Sequence, residues 1–244
     1  MMPLRSDASL PSLAVQKQFW DERYTARSLP NEWQVRRGDV VRRWLLSLRL
    51  PRPRILDFGC GTGWFAGQLA GLGEVTAIDL SAAAIAIARS HYPHVNFIAG
   101  NLFDVSLPSG YFDVVISQEV LAHVERQDDY LDRCAAALRP GQYLIITTAN
   151  KFVMDRLGWP QPPGHIEKYL NMRAFKRLLS RRFSILQAAS IVPIPVGDRG
   201  LLRLANSRKL NALASRLLSE SVVEHLKGRA RLGYTLIALT RRIS

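Results

Sequence analysis

Two acids and a run of alternate glycines are the residues of this chain whose types and spacing best suit chemistry. Asp57 precedes Gly59, Gly61 and Gly63, and a second acid, Asp79, follows about 20 positions on. Ile55, Leu56 and Phe58 form a short apolar run ended by the glycines, which reads as a buried parallel strand entering a tight turn, with a helix next. Asp57 then stands at the carboxyl end of a strand, where open α/β sheets bind ligands. Glycines allow positive φ and close approach, so main-chain amides at the start of that helix can face a ligand. The acid suits a cation such as an amino group and opposes a pyrophosphate. A pyrophosphate fingerprint would also need glycine where Trp64 stands.

The stretch Asp57-Phe58-Gly59-Cys60-Gly61-Thr62-Gly63 resembles motif I of the class I S-adenosylmethionine-dependent methyltransferases. Val75-Thr76-Ala77-Ile78-Asp79-Leu80-Ser81 is similar to the second strand of that family, whose terminal acid binds ribose hydroxyls. Gly100-Asn101-Leu102 falls where the family contacts adenine, with Asn in place of the commoner Asp. Phe112-Asp113-Val114-Val115-Ile116-Ser117 resembles the fourth strand, and Leu138-Arg139-Pro140-Gly141 the turn before the fifth. Five matches in order are far more specific than any one alone.

The resemblance implies S-adenosylmethionine as cofactor, S-adenosylhomocysteine as product and direct in-line methyl transfer. It implies that Asp57 and the backbone at Gly59, Cys60 and Gly61 hold the methionine part. Asp79 would take the ribose, Leu80, Asn101 and Leu102 would bracket the adenine, and Gln118 joins them as a cofactor-binding candidate. Residues 118–124 are similar to the Glu-x-x-Glu-His segment of quinone-biosynthesis O-methyltransferases, which is linked there to a divalent cation. Glu119 and His123 match, but Ala122 replaces the second acid. One carboxylate ligand of a hard cation is thereby lost, and no metal ligand is assigned. His123 and His165 are the candidate catalytic residues, His123 as general base for a hydroxyl, with His165 and Tyr169 where relatives line the acceptor pocket. A structural role for either histidine, orienting a loop or finishing a helical turn, stays open.

The elements that must position these residues are expected in α/β order. Strands at 54–58, 75–79, 95–99, 112–117 and 142–148 alternate with helices at about 63–72, 82–91 and 127–138, which predicts a parallel sheet with right-handed crossovers. Residues 183–192 and 234–241 read as sixth and seventh strands, antiparallel at one sheet edge by family resemblance. The expected fold class is therefore a Rossmann-like seven-stranded methyltransferase sheet with its last strand antiparallel. Residues 1–53 read as an N-terminal helical arm, with residues 1–15 mobile and two helices broken at Leu29-Pro30-Asn31. Trp20-Asp21-Glu22-Arg23-Tyr24 is similar to a segment that folds over the cofactor in many relatives, and the same aromatics also read as core staples. Residues 54–244 are expected to form the methyltransferase domain. Within them 150–168 is expected as a loop, Asn171 as a helix cap, and 194–232 as a basic helical insert that could act as a lid.

The chain has 48% hydrophobic residues and 244 positions, enough for a full core. Its two cysteines fit neither a disulfide framework nor a metal knuckle. Its N-terminal stretch has no apolar block like a signal peptide, and no apolar run reaches membrane-spanning length, so the expected location is cytoplasmic. Charge is uneven: residues 1–150 hold 15 Lys/Arg and 15 Asp/Glu, while residues 151–244 hold 18 and 5. That basic half adds peripheral contact with an anionic inner membrane surface as an expectation. O-methylation of a small, lipid-linked or glycan-linked acceptor is the leading reading. An RNA methyltransferase using the basic half and a non-catalytic cofactor-binding module are the alternatives. Nucleic acid ranks below small molecules because no Asn-Pro-Pro-Tyr-type segment or RNA-binding module is visible.

Overall fold

A computed structural model describes residues 10–157, 163–193 and 233–243. Chain order runs α1 (Leu13–Ala26), α2 (Glu32–Ser47), β1 (Arg54–Phe58), α3 (Trp64–Leu69), β2 (Glu74–Asp79), α4 (Ala82–His91), β3 (Asn96–Ala99) and β4 (Phe112–Gln118). A 3-10 turn, Leu121–His123, leads into α5 (Gln127–Ala137), β5 (Leu138–Ala149), α6 (Lys151–Leu157), α7 (Met172–Leu179), β6 (Phe183–Pro193) and β7 (Gly233–Arg242). The sheet order is β3-β2-β1-β4-β5-β7-β6, with β7 antiparallel to both neighbours. This is the expected seven-stranded sheet.

Alternation along the strands builds two cores, one on each face. Leu56, Phe58 and Val115 face a layer made with α5 and α7, through Tyr130, Leu131, Phe175 and Leu179. Ile55, Val114 and Ile116 face the other layer, with Val41 and Leu45 of α2, Phe65 and Leu69 of α3 and Ile85 of α4. Local signals set the helix starts. Asn31 and Gln34 form a reciprocal capping box on α2, Ser81 caps α4, and Asn171 caps α7 by accepting from Ala174 N. Asp113 ties together the starts of three central strands, accepting from Arg54 N of β1 at 2.8 Å and pairing with Arg139 of β5.

Several expectations need correction. Residues 151–157 were expected in a loop, and they form α6, supported by a Lys151–Asp155 pair one turn apart and by Asn150 Oδ1 accepting from Phe152 N. Helix α1 starts inside the stretch expected to be mobile, because Ser12 caps it. Strand β5 begins at Leu138, four residues early, since a register shift lets the chain pair with β4 before Gly141. The basic insert at 194–232 and the centre of the Pro-rich loop at 158–162 lie outside the described residues. Among the described residues, no helix is long and apolar enough to cross a membrane.

Gly63 starts α3 at φ 77°, and a Cβ there would meet Ala88 Cβ and Phe97 Cζ at 2.7 Å. Gly110 also has positive φ, 57°, but open space around it. Gly63→Ala should therefore destabilise the fold by about 2–5 kcal/mol, from left-handed strain plus overpacking. Gly110→Ala should cost only about 1–2 kcal/mol from strain. Urea unfolding of both variants reads the difference.

Candidate active site

All the expected site residues line one cavity of about 1380 Å³, most of them at or just after the carboxyl ends of β1, β2, β3 and β4 and His165 from the segment before α7. Strand register brings the acids together. Phe58 pairs with Ile78, so the turn after β1 lies beside the end of β2, and Gly59 N and Cys60 N both donate to Ile78 O, at 2.7 and 3.0 Å. Gly59 holds φ 78° with Val120 Cγ2 where a Cβ would be, and Gly61 holds φ 55° against the Tyr24 ring. Asp79 accepts from Gly61 N at 2.7 Å through one oxygen and from Ser81 N at 2.9 Å through the other. Each oxygen keeps a further lone pair.

Asp57 is buried, and no hydrogen bond reaches its Oδ2. Burial, then the charge of Asp79, pushes its carboxyl up to about 7. Burial pushes Asp79 up to about 6, opposed by the amides of Ser81 and Gly61. Burial also drives the Cys60 thiol well above its usual range, so Cys60 contributes backbone and packing to the turn.

Helix α2 supplies a residue that sequence reasoning passed over. Arg37 is 8% exposed, unlike the exposed arginines Arg42 and Arg43 of the same helix. Its Nε donates to Gln118 Oε1 at 3.1 Å, and its Nη1 lies 3.8 Å from Glu119 Oε1. Glu119 turns off β4 at φ 61° and is held by Thr147, whose Oγ1 donates to Oε1 at 3.0 Å. Burial raises the Glu119 carboxyl, with Arg37 opposing. Nothing in the spacing of an arginine-rich helix marks Arg37; only the approach of α2 to the end of β4 does.

The other end of the cavity is aromatic and imidazole-rich. His123 Nδ1 lies 2.8 Å from Ile166 O, and since a carbonyl only accepts, Nδ1 carries the hydrogen and Nε2 is the acceptor. Burial lowers its pKa to about 4, so the ring is neutral. His165 Nε2 lies 3.0 Å from Glu167 Oε1, and both side chains are nearly buried, 6% and 10% exposed. His165 stacks on Phe19 at 4.4 Å between centroids, and Trp20 meets His123 edge-on at 5.0 Å. Tyr169 and Tyr234 line the same end, and burial with nearby carboxylates raises both phenols, Tyr234 to about 12.

Leu80 and Leu102 line the cavity beside Asp79. Asn101 also lines it, but its side chain is engaged in its own loop, donating to Asp104 at 2.9 Å and accepting from Phe103 N at 3.2 Å. Among the described residues, no group of three or more metal-ligating side chains converges. Glu167 could have been read from its place two residues after His165; its pairing with that ring could not.

Residues 56–146 match a family described as a methyltransferase domain. The chain is 30% identical over 155 residues to a probable S-adenosylmethionine-dependent methyltransferase of Mycolicibacterium smegmatis, covering 63% of this chain and 54% of that protein. It is 30% identical over 163 residues to the ubiquinone biosynthesis O-methyltransferase of a Bradyrhizobium species, covering 60% of this chain and 64% of that one. Among the first curated relatives it matches, the chain thus spans from 46% to 64% of their length. The crystal structure of N-methyltransferase NodS from Bradyrhizobium japonicum with S-adenosyl-L-homocysteine superposes with a TM-score of 0.65 at 18% identity, covering 94% of this chain and 99% of that one, a likeness of fold. Residues 56–146 thus match a methyltransferase domain, and the relatives to which the chain is similar include S-adenosylmethionine-dependent methyltransferases.

Proposed function

We propose that the whole chain is an S-adenosylmethionine-dependent methyltransferase acting on an oxygen of a small or lipid-linked acceptor. One observation carries this reading: a buried carboxylate with an oxygen that no hydrogen bond reaches, Asp57, shares the cavity with a buried guanidinium, Arg37. Opposite charges, one in β1 and one on α2, suit the amino-acid end of the donor, Asp57 for its ammonium and Arg37 for its carboxylate. Gln118 orients the guanidinium through Nε, with Glu119 Oε1 3.8 Å from its Nη1. The spare lone pairs of Asp79 suit ribose hydroxyls, the main chain at Cys60, Gly61 and Asn101 closes the turn side, and Leu80 and Leu102 give the adenine apolar walls.

S-adenosylmethionine, when bound, supplies a methyl group on a sulfonium, so the residues of the chain position the acceptor and handle one proton. The pairing of His165 with Glu167 makes His165 the better base. With Nε2 donating to Glu167, Nδ1 accepts the hydroxyl proton, and Glu167 steadies the imidazolium that forms. His123, with its pKa lowered to about 4, is a weak base, and its Nε2 fits a positioning hydrogen bond. The ubiquinone biosynthesis O-methyltransferase among the relatives supports an oxygen acceptor. The excess of 18 Lys/Arg over 5 Asp/Glu in residues 151–244 supports an acceptor or surface that is anionic, including lipid.

Asp79→Ala should weaken binding of S-adenosylhomocysteine at least tenfold in calorimetry while the circular dichroism spectrum is unchanged. Equal affinity would remove the donor assignment. The pH dependence has a defined sign. The folded Asp57 carboxyl is raised to about 7, and a bound ammonium favours its ionised form, so affinity should rise with pH by about tenfold per unit below pH 7 and level off above it. In Asp57→Asn that slope should disappear.

His165→Ala should lower methyl transfer by about 10²–10⁴-fold, and Glu167→Gln by less, at unchanged affinity for S-adenosylhomocysteine. The assay follows, by mass spectrometry, the gain of one methylene on components of a lipid and small-molecule extract. Full activity in His165→Ala would exclude it as the base.

A further inference from the structure

The end of the sheet away from the cavity gathers arginines that stand far apart in the chain. Strands β1, β4 and β5 start there, and β7 finishes there because it runs antiparallel to β5. Asp113 is one link, between Arg54 of β1 and Arg139 of β5. Just past Arg139, Gly141 O accepts from Arg241 Nε at 2.7 Å, and Leu138 O accepts from Arg242 Nη1. Arg182 O accepts from Ile243 N, which brings the lead into β6 to the same place. Helix α2 starts at the cavity, which Trp33 and Arg37 line, and finishes at this end, with Arg43 exposed near its last turn. The loop from α2 to β1 adds Arg49 and Arg52, both exposed and both at positive φ, 51° and 43°.

Carboxylates do not match these cations. Asp113 serves Arg54 and Arg139, and Asp128 and Asp132 serve Arg182. Arg43, Arg49 and Arg52 make no ion pair among the described residues, and the guanidinium groups of Arg241 and Arg242 donate to carbonyls. Glu74, whose N–H donates to Pro53 O, is an exposed acid at the same end and offsets one of these charges. Guanidinium forks suit phosphate oxygens, and a face that keeps several of them without carboxylates attracts a polyanion. Arg43, Arg49 and Arg52 belong to the half of the chain whose charges cancel, so composition by halves does not reveal this face.

The neighbouring side chains decide which polyanion fits. Leu46 at the end of α2 and Ile243 after β7 are 46% and 47% exposed, and Leu50 stands half-buried between Arg49 and Arg52. A nucleic acid strand gains from aromatic faces on which bases stack. Trp44, Tyr111 and Tyr143 at this end are half-buried, and the Arg54 guanidinium covers the Tyr111 ring at 4.1 Å. Exposed Leu and Ile set among arginines match a lipid surface instead, with anionic headgroups above acyl chains.

We propose that this end of the molecule docks on an anionic lipid surface, with Arg43, Arg49, Arg52, Arg241 and Arg242 as its cationic contacts and Leu46 and Ile243 as its apolar ones. The cavity opens at the opposite ends of the same strands, roughly 20 Å away for strands of five to seven residues, so a docked chain turns its cavity to the water. The docking face shares no residue with the cavity, and it stands independently of the donor and acceptor readings.

The test sediments the full chain with vesicles of about 30% phosphatidylglycerol in phosphatidylcholine, at low and high salt. The wild type should bind at low salt and release at high salt. Arg43→Gln, Arg49→Gln and Arg52→Gln together should weaken partitioning about a hundredfold, at about fivefold for each arginine, with thermal melting unchanged. Leu46→Ser with Ile243→Ser should weaken it about tenfold and leave the salt dependence in place. Arg173→Gln, Lys176→Gln and Arg177→Gln remove the same charge from the exposed face of α7 and should stay within about threefold of the wild type. Equal losses in the two triple variants, or no loss in the first, would overturn the docking face. A wild type that does not sediment with these vesicles would overturn the lipid partner. In that case, fluorescence anisotropy showing a short RNA bound by the wild type and released by the Arg43, Arg49 and Arg52 variant would assign the face to nucleic acid.

Discussion

The structure depends on two carboxylates held out of water at the ends of adjacent strands. Asp57 and Asp79 are both buried, and the charge of Asp79 raises the cost of ionising Asp57. Asp79 is compensated by two backbone amides, whereas Asp57 has an oxygen with no hydrogen bond. Such an arrangement is costly in an empty protein and favourable around a cation that also offers hydroxyls. The glycine turn makes it attainable, because only residues without a Cβ let the backbone pass between Val120 and Tyr24 while its amides face inward.

The rest of the molecule is arranged about that turn. Parallel β1, β2 and β4 set the depth at which the acids and Gln118 stand, and the two apolar layers fix the strands. Helix α2 is part of one layer and so can hold a charged side chain, Arg37, at the cavity wall with a defined partner. Helix α1 belongs to neither layer and meets the cavity through aromatic and hydrogen-bonding contacts alone. The two helices therefore differ in burial, α2 with four buried residues and α1 with none.

The two histidines at the other end of the cavity differ in their partners. Both histidines lie in a low-dielectric, aromatic setting, yet only His165 has a carboxylate on its ring nitrogen, while His123 is tied to a carbonyl. Burial without a charge partner weakens an imidazole as a base; burial with one lets it carry a proton.

Much of the fold was legible in the sequence because it follows from local rules. Short apolar runs ended by glycine and acid, the cap Asn171, and seven strands in order all depend on neighbours a few positions apart. Helix α6 was hidden, since its Asx start and its Lys151–Asp155 pair were outweighed by the prolines and glycine that follow. In the site, the residues on strand ends and in the glycine turn could be picked out by spacing. What the tertiary structure alone decided was which partners they meet: Arg37 beside Gln118, Glu167 on His165, Asp21 on Ser81, and the Asn101 side chain engaged within its own loop. Spacing along the chain determines which face of a strand or helix a residue occupies. Pairing across about 60 or 80 positions depends on how whole layers pack, and no local pattern carries that information.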